Sequence, residues 1–226
     1  MASRIHTYTD DKRLATAAQQ IGHDWKSCPY YNAAEINMER QWTEMIWPFL
    51  TGEREGQIDF STTVELAAGH GRNSAKLLPL ANKLHLVDIN EENISFLRDR
   101  FGNDLRIEYH VNNGYSLSFL EDHTVSFVYC FDAMVHFDSD VVREYLREFA
   151  RILILGGRVF AHHSNYVGNP GGDLHRNPAW RNFMSQELFT HYARKEGLSV
   201  IRQKKVDWNF DKTFIDCFTL CQSGEF

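Results

Sequence analysis

Residues 64 to 74 read VELAAGHGRNS, an acid at Glu65 followed by Ala67, Ala68, Gly69 and Gly71. Side chains that small leave backbone N–H groups open to a ligand. Twenty-three residues beyond Glu65 the run KLHLVDI brings Asp88 to its end, where a carboxylate can accept both hydroxyls of a ribose. Twenty-five residues further, VNNGYSLSF offers Asn113 as an acceptor for an adenine amino group. There the N–H of Gly114 or Tyr115 can donate to a ring nitrogen, and Tyr115 can cover the base. No G-x-x-x-x-G-K-[ST] run occurs and the first turn lacks a full G-x-G-x-x-G, so a nucleoside without a phosphate chain is favoured.

A second group of reactive types follows in CFDAMVHFDSD (130–140) and FAHHSNYVGNPGGDLHRNPAWRNF (160–183). A neutral His is the side chain best matched to taking up a proton near pH 7, and these runs set several beside carboxylates and amides. Asp132, His136, His162, His163 and Asn165 are the candidates. His162 and His163 are strand neighbours that must point to opposite faces; His163, nearer the open end, is taken as the base and His162 as a satisfied histidine under a helix. Asp132 would orient the acceptor or the base, and His136 either packs its turn or is a second base. Asp132, His136, His163 and Asp173 also carry metal-ligand atoms, but no H-x-x-x-H or paired-acid spacing fixes them, and no metal is assigned.

The elements that must position these groups are legible as alternating runs. Short apolar or β-branched stretches at 62–68, 83–89, 106–111, 125–131 and 157–163 read as strands covered on both faces. Between them, 138–153 carries Val142, Tyr145, Leu146, Phe149, Ile152 and Leu153 on one stripe, with Asp138 to Asp140 to cap it and Gly156 and Gly157 to stop it. A second helix over 90–101 starts at a capping Asn90, and a third spans 185–198. Alternating strands and helices make a mostly parallel sheet with helices on both faces. The runs 198–208 and 213–221 are too closely spaced for a crossover and close the sheet as a C-terminal antiparallel hairpin. That gives seven strands in all. Before the first strand, 28–50 carries Met38, Trp42, Met45, Ile46 and Phe49 at helical spacing, a stripe read as structural.

Composition sets the outer limits. With 226 residues and 43% hydrophobic content the chain supports one sizeable core, a single domain over 1–226. Its formal charge of -6 and lack of a basic block argue against nucleic acid and anionic membrane as partners. No leader-type apolar region opens the sequence, and no run nears the roughly 18 apolar residues of a membrane span. Four cysteines, Cys28, Cys130, Cys217 and Cys221, form no C-x-x-C pair and fit a reducing, cytoplasmic setting.

From about residue 60 to 221 the chain resembles the class I S-adenosylmethionine-dependent methyltransferases. Their first motif, acid-x-Gly-x-Gly-x-Gly, is met by Glu65 to Gly71 with Ala67 in place of the first glycine. The resemblance implies a Rossmann-like core over 59–226 and an N-terminal helical lid over 1–58, with an acceptor loop at 164–181. It puts Glu65 near the amino end of the methionine moiety, Ala67 to Gly71 against the cofactor, Asp88 on the ribose and Asn113 near adenine. Ile89, Gly114, Tyr115 and Phe131 complete that set. Tyr30 and Tyr31 of the lid, with Asn165 and Arg181 of the loop, are the expected acceptor contacts. The implied reaction is methyl transfer to a small-molecule acceptor, O-methylation preferred, with S-adenosylhomocysteine as product. N-methylation, or a bound cofactor serving other chemistry or regulation, are the alternatives. The oligomeric state is not legible.

Overall fold

In the computed structural model, which describes residues 11–26, 28–52, 57–208 and 211–224, seven strands form one sheet. They are β1 (Thr62–Leu66), β2 (Lys83–Asp88), β3 (Ile107–Val111), β4 (Val125–Cys130), β5 (Leu153–Ser164), β6 (Leu198–Val206) and β7 (Asp216–Ser223). Their spatial order is β3-β2-β1-β4-β5-β7-β6. The first five pair in parallel. β7 is inserted antiparallel between β5 and β6, so the hairpin expected at the C-terminus is present and the sheet is Rossmann-like.

The central strands lack half-wet alternation because both of their faces are buried, yet parity still decides which helix layer each residue meets. Val64, Leu66, Val87, Val128, Val159 and Ala161 pack with α6 (Ser139–Ile152), α7 (Gln186–Lys195) and α1 (Asp11–Asp24). Leu84, Leu86, Phe127, Tyr129, Phe160 and Phe218 pack against α5 (Glu91–Phe101), α4 (Ser74–Leu77) and the segment from α2 (Tyr30–Gln41) through a π-helical turn at Trp42–Ile46 to α3 (Trp47–Leu50). α6 is capped as expected, Asp138 Oδ1 accepting from the Asp140 N–H at 2.8 Å. Asn90 starts α5 but makes no side-chain cap. Its amide instead donates to the Gly22 carbonyl at 2.9 Å, tying α1 to the sheet.

Two expectations change here. Gly156 and Gly157 do not stop α6, which gives way to β5 at Leu153; they lie where the β4–β5 register shifts between Phe127 and Val125, with Gly156 at φ +78. Within the expected helical arm, ahead of the helix read at 28–50, lies a helix that was given no bounds from sequence, α1, whose Leu14, Ala18 and Ile21 are buried. Residues 1–10 and 53–56 of that arm lie outside the described residues.

Gly71, expected against the cofactor, faces the other way. At φ +82, a Cβ there would lie 2.6 Å from Phe101 Cε2 and 2.7 Å from Leu97 Cδ2, so the glycine admits α5 to the first turn. Gly171 also has positive φ (+69) but open space around it. Gly71→Ala is expected to cost about 2–4 kcal/mol, left-handed strain plus overpacking, and Gly171→Ala only about 1–2 kcal/mol. Urea unfolding of the two variants checks this; equal losses would mean that α5 packing places no demand on residue 71.

Candidate functional site

At the carboxyl ends of the central strands lies a cavity of about 990 Å³, part of it open to solvent, where ligands of such sheets bind. Its floor is Leu66, Ala67, Ala68 and Gly69 after β1, Asp88 and Ile89 after β2, Asn112 and Gly114 after β3, and Phe131 and Asp132 after β4. The roof comes from the N-terminal arm: Ala17, Ala18, Ile21 and Trp25 around α1, then Tyr30, Tyr31 and Ala34 of α2. Gly69 and Gly114 are glycines of necessity. With φ of +55 and +86, their Cβ atoms would lie 2.7 Å from the Tyr31 ring and 2.6 Å from Ile89 respectively.

Asp88 dominates one end. Its Oδ2 accepts from the Gly69 N–H at 2.9 Å, and Oδ1 accepts from the Asn90 N–H at 2.9 Å and Asn93 Nδ2 at 3.1 Å. Burial pushes its carboxyl up from the ordinary value, against the pull of these hydrogen bonds. Asn93 also donates to the Tyr31 hydroxyl at 3.0 Å, so the roof is referenced to the same carboxylate.

Across the cavity, Asp132 holds a left-handed backbone (φ +58) that is costly for a residue with a Cβ. Its Oδ2 accepts from the Tyr30 hydroxyl at 2.7 Å and from the Arg72 guanidinium at 2.5 Å. Its backbone N–H donates to His162 Nδ1 at 3.2 Å. Because that N–H can only donate, His162 Nδ1 carries the lone pair and its Nε2–H donates to Asp216 Oδ2 at 3.1 Å. Arg181 completes the chain with two bonds to the Asp216 carboxylate, 2.6 and 2.7 Å. Burial opposes charge on Asp216, but His162 and Arg181 outweigh it and hold its carboxyl at about 2.

His136 reaches the cavity as well. Its Nδ1–H donates to the Trp180 carbonyl at 2.8 Å, leaving Nε2 as an acceptor. Nε2 has no protein partner, and among the described residues no fully buried side-chain nitrogen or oxygen lacks one, so Nε2 opens onto the cavity. Burial, with the Arg181 charge, lowers this imidazole to about 4 and keeps it neutral near pH 7. Trp25 lies against it, ring centroids 4.7 Å apart.

Several expected site residues lie elsewhere. His163 and His162 do point to opposite faces, but His163 faces α7. It is fully buried, stacked on Phe189 at 3.9 Å, and both ring nitrogens are engaged, by the Ser164 carbonyl and the Thr219 hydroxyl at 2.8 Å each. Burial lowers it to about 3, so the base assignment to His163 is withdrawn. Asn113 is exposed and its side chain closes its own turn, accepting from the Tyr115 and Ser116 N–H groups at 3.1 and 2.8 Å. Tyr115 likewise packs into the α6 layer rather than lining the cavity. Arg181 is consumed by Asp216. Asn165 braces the start of α7, accepting from the Gln186 N–H at 3.1 Å. Glu65 lies behind the first turn, with Ser74 Oγ donating to it at 2.5 Å.

Arg72, Asn73, Asn112, Tyr145 and Trp25 line the cavity without having been singled out from sequence. Arg72 follows the small-residue run directly and is the one with a sequence signal, a cation two residues after Gly69–His70. Asp132, His136, His163 and Asp173, which carry metal-ligand atoms, form no metal-binding group among the described residues.

A family model described as "Methyltransferase domain" matches residues 64–157. No curated protein matches the chain. Among solved structures, an S-adenosylmethionine-dependent methyltransferase from Clostridium acetobutylicum is 16% identical, covering 87% of this chain and 99% of that one with a TM-score of 0.66. A chain from the complex of the Haloferax volcanii Trm112 methyltransferase activator and its putative methyltransferase is 19% identical, covering 86% and 96%, TM-score 0.65. Geranyl diphosphate C-methyltransferase from Streptomyces coelicolor is 14% identical over 77% and 75%, TM-score 0.62. At such identities the likeness is one of fold.

Glu65 gives the pH test of this site. Burial raises its carboxyl to about 8, outweighing Ser74 and Arg72, against 4.5 ordinarily. The folded chain therefore keeps a proton that the unfolded chain releases. That contribution is complete below the ordinary value and is lost as pH rises through the folded one. Glu65→Gln keeps the acceptor for Ser74 and removes the charge. It is expected to flatten the decline in urea stability between pH 5 and 8 and to be the more stable form at pH 8; identical pH slopes would mean that Glu65 is ionised.

Proposed function

From the premise that the chain carries a methyltransferase domain of the class I, S-adenosylmethionine-dependent kind, we propose that it methylates the hydroxyl of a small molecule. Its residues fit the cofactor. The Asp88 carboxylate borders the cavity for a ribose, Asn112 and Gly114 with Ile89 border the space for a base, and Ala67 to Gly69 with Arg72 and Asn73 border the space for an amino-acid end. The cofactor supplies a methyl group on a positively charged sulfur. What the chain adds is alignment, exclusion of water, and a place for the acceptor's proton.

The observation that carries the reading is the free Nε2 of His136, in the same cavity as Asp88 and with its tautomer fixed by the Trp180 carbonyl. A neutral imidazole so held accepts a proton at Nε2. Its basicity, lowered to about 4, suits an acceptor hydroxyl that is itself acidic, of the phenol or enol class, better than an aliphatic alcohol. Trp25, Tyr30, Phe131 and Phe137 border that end and suit a flat ring. Asp132, bonded to Tyr30 and Arg72, is a positioning residue.

Two variants separate the roles. Asp88→Asn is expected to weaken S-adenosylmethionine binding by about 1.5–3 kcal/mol, the range for hydrogen bonds to a charged group, in calorimetry at unchanged far-ultraviolet circular dichroism. His136→Ala is expected to lower turnover of labelled cofactor on a panel of phenols by roughly 10²-fold or more with cofactor affinity unchanged. In the wild type no inflection near pH 6.5 should arise from this histidine. Full turnover in His136→Ala would remove the base, and methylated amines as the sole products would replace the hydroxyl acceptor.

A further inference from the structure

On the outer half of the sheet, away from the cavity, His85 of β2 lies directly beside Glu108 of β3, and His110 stands two residues further along the same face. His85 Nδ1 and His110 Nε2 are 3.1 Å apart, His85 Nδ1 and Glu108 Oε2 3.3 Å, and His110 Nε2 and Glu108 Oε2 3.6 Å. The three atoms form a nearly equilateral triangle in which the two ring nitrogens share one proton in a hydrogen bond, a proton that a metal ion would displace. A tetrahedral ion with ligands at about 2.0–2.1 Å has ligand–ligand edges of about 3.3–3.4 Å, which is the size of this triangle.

We propose that His85 Nδ1, Glu108 Oε2 and His110 Nε2 form a binding site for a divalent transition-metal ion of the Zn²⁺ type, with the fourth position open to water. The donor set, two imidazoles and one carboxylate, suits such an ion better than Mg²⁺ or Ca²⁺, which take oxygen ligands. Each imidazole can turn a lone pair to the centre and keep its proton on the far nitrogen. Lys83 Nζ holds the other carboxylate oxygen, Oε1, at 2.8 Å and so directs Oε2 inward. Phe119 stacks on His110 with centroids 4.3 Å apart and fixes its ring. Among the described residues this is the only group of three or more ligand side chains gathered closely enough to hold an ion.

The ion would clip the edge strand β3 to β2. That matters for position, since β3 is paired on one side only, β2 ends in the cavity residue Asp88 and β3 leads directly into the cavity residue Asn112. None of the three ligands lines the cavity, so the site stands or falls independently of the proposed reaction.

Zinc titration of tag-free protein by calorimetry tests it, with Co²⁺ absorption reporting the geometry. One equivalent of Zn²⁺ should bind at micromolar concentration, Co²⁺ should give the intense visible bands of a tetrahedral site, and Zn²⁺ should raise the melting temperature. His110→Gln and Glu108→Gln, both at partly exposed positions, should each weaken binding at least ~100-fold, beyond the 10–100-fold that loss of an outer partner brings. Cys28→Ser should bind as the wild type does. Absence of wild-type binding, or equal affinity in His110→Gln and Glu108→Gln with unchanged circular dichroism, overturns the site.

Discussion

The Arg72 guanidinium joins three parts of the chain that are far apart in sequence, and the cavity depends on it. It donates to the Ala34 carbonyl at 3.3 Å, to Gln41 Oε1 at 2.8 Å and to Asp132 Oδ2 at 2.5 Å, and it lies over the Phe131 ring. In one group, the turn after β1 is tied to the roof helix α2 and to the end of β4. The Asp132 side chain is 3% exposed and that of Arg72 11%. Removing either partner would leave a buried charge uncompensated, a cost of about 3–5 kcal/mol. A weaker surface pair could not hold a left-handed Asp132, whose backbone strain needs an over-determined surrounding.

That surrounding is a second buried network on the other side of Asp132. His162 accepts the Asp132 N–H, Asp216 fixes the His162 tautomer, and Arg181 fixes Asp216. Residues from β5, β7 and the 164–181 loop therefore set the direction of a carboxylate at the end of β4. The sequence reading of Arg181 as an acceptor contact confuses support with contact, and His162, read as a satisfied histidine, is satisfied within this network and not under a helix. Every ring nitrogen and guanidinium in this network already has a protein partner, whereas the His136 ring, outside it, keeps Nε2 as an acceptor.

The seven strands were legible because apolar runs between helix-period segments follow directly from a sheet buried on both sides. Asp88 was legible for a similar reason: the end of a strand in such a sheet is fixed by where the apolar run stops. What failed were decisions one residue wide. Asn112 faces the cavity and Asn113 does not; His162 lies on one face and His163 on the other. Strand alternation turns a one-residue slip into the opposite side of the sheet, and the pattern at 160–164, buried throughout, carries no polar-apolar contrast to set the phase. The α1 helix was given no bounds although Leu14, Ala18 and Ile21 are spaced for one, since its single narrow stripe is surrounded by charged and small residues.

Roof and floor differ in how they are held. The floor is strands locked by two apolar layers, whereas the roof meets it through Leu14 and Ala18 of α1, through the Arg72 group, and through polar contacts at the rim: Tyr30 to Asp132, Asn93 to Tyr31, Asn90 to the Gly22 carbonyl, and His175 to Asp24 at 3.0 Å. Polar contacts at a rim can be exchanged for water at small net cost, while separating buried strands cannot. Trp180, in the 164–181 loop, supplies the carbonyl that fixes the His136 tautomer, so the loop that meets the roof through His175 and Asp24 also orients this cavity histidine.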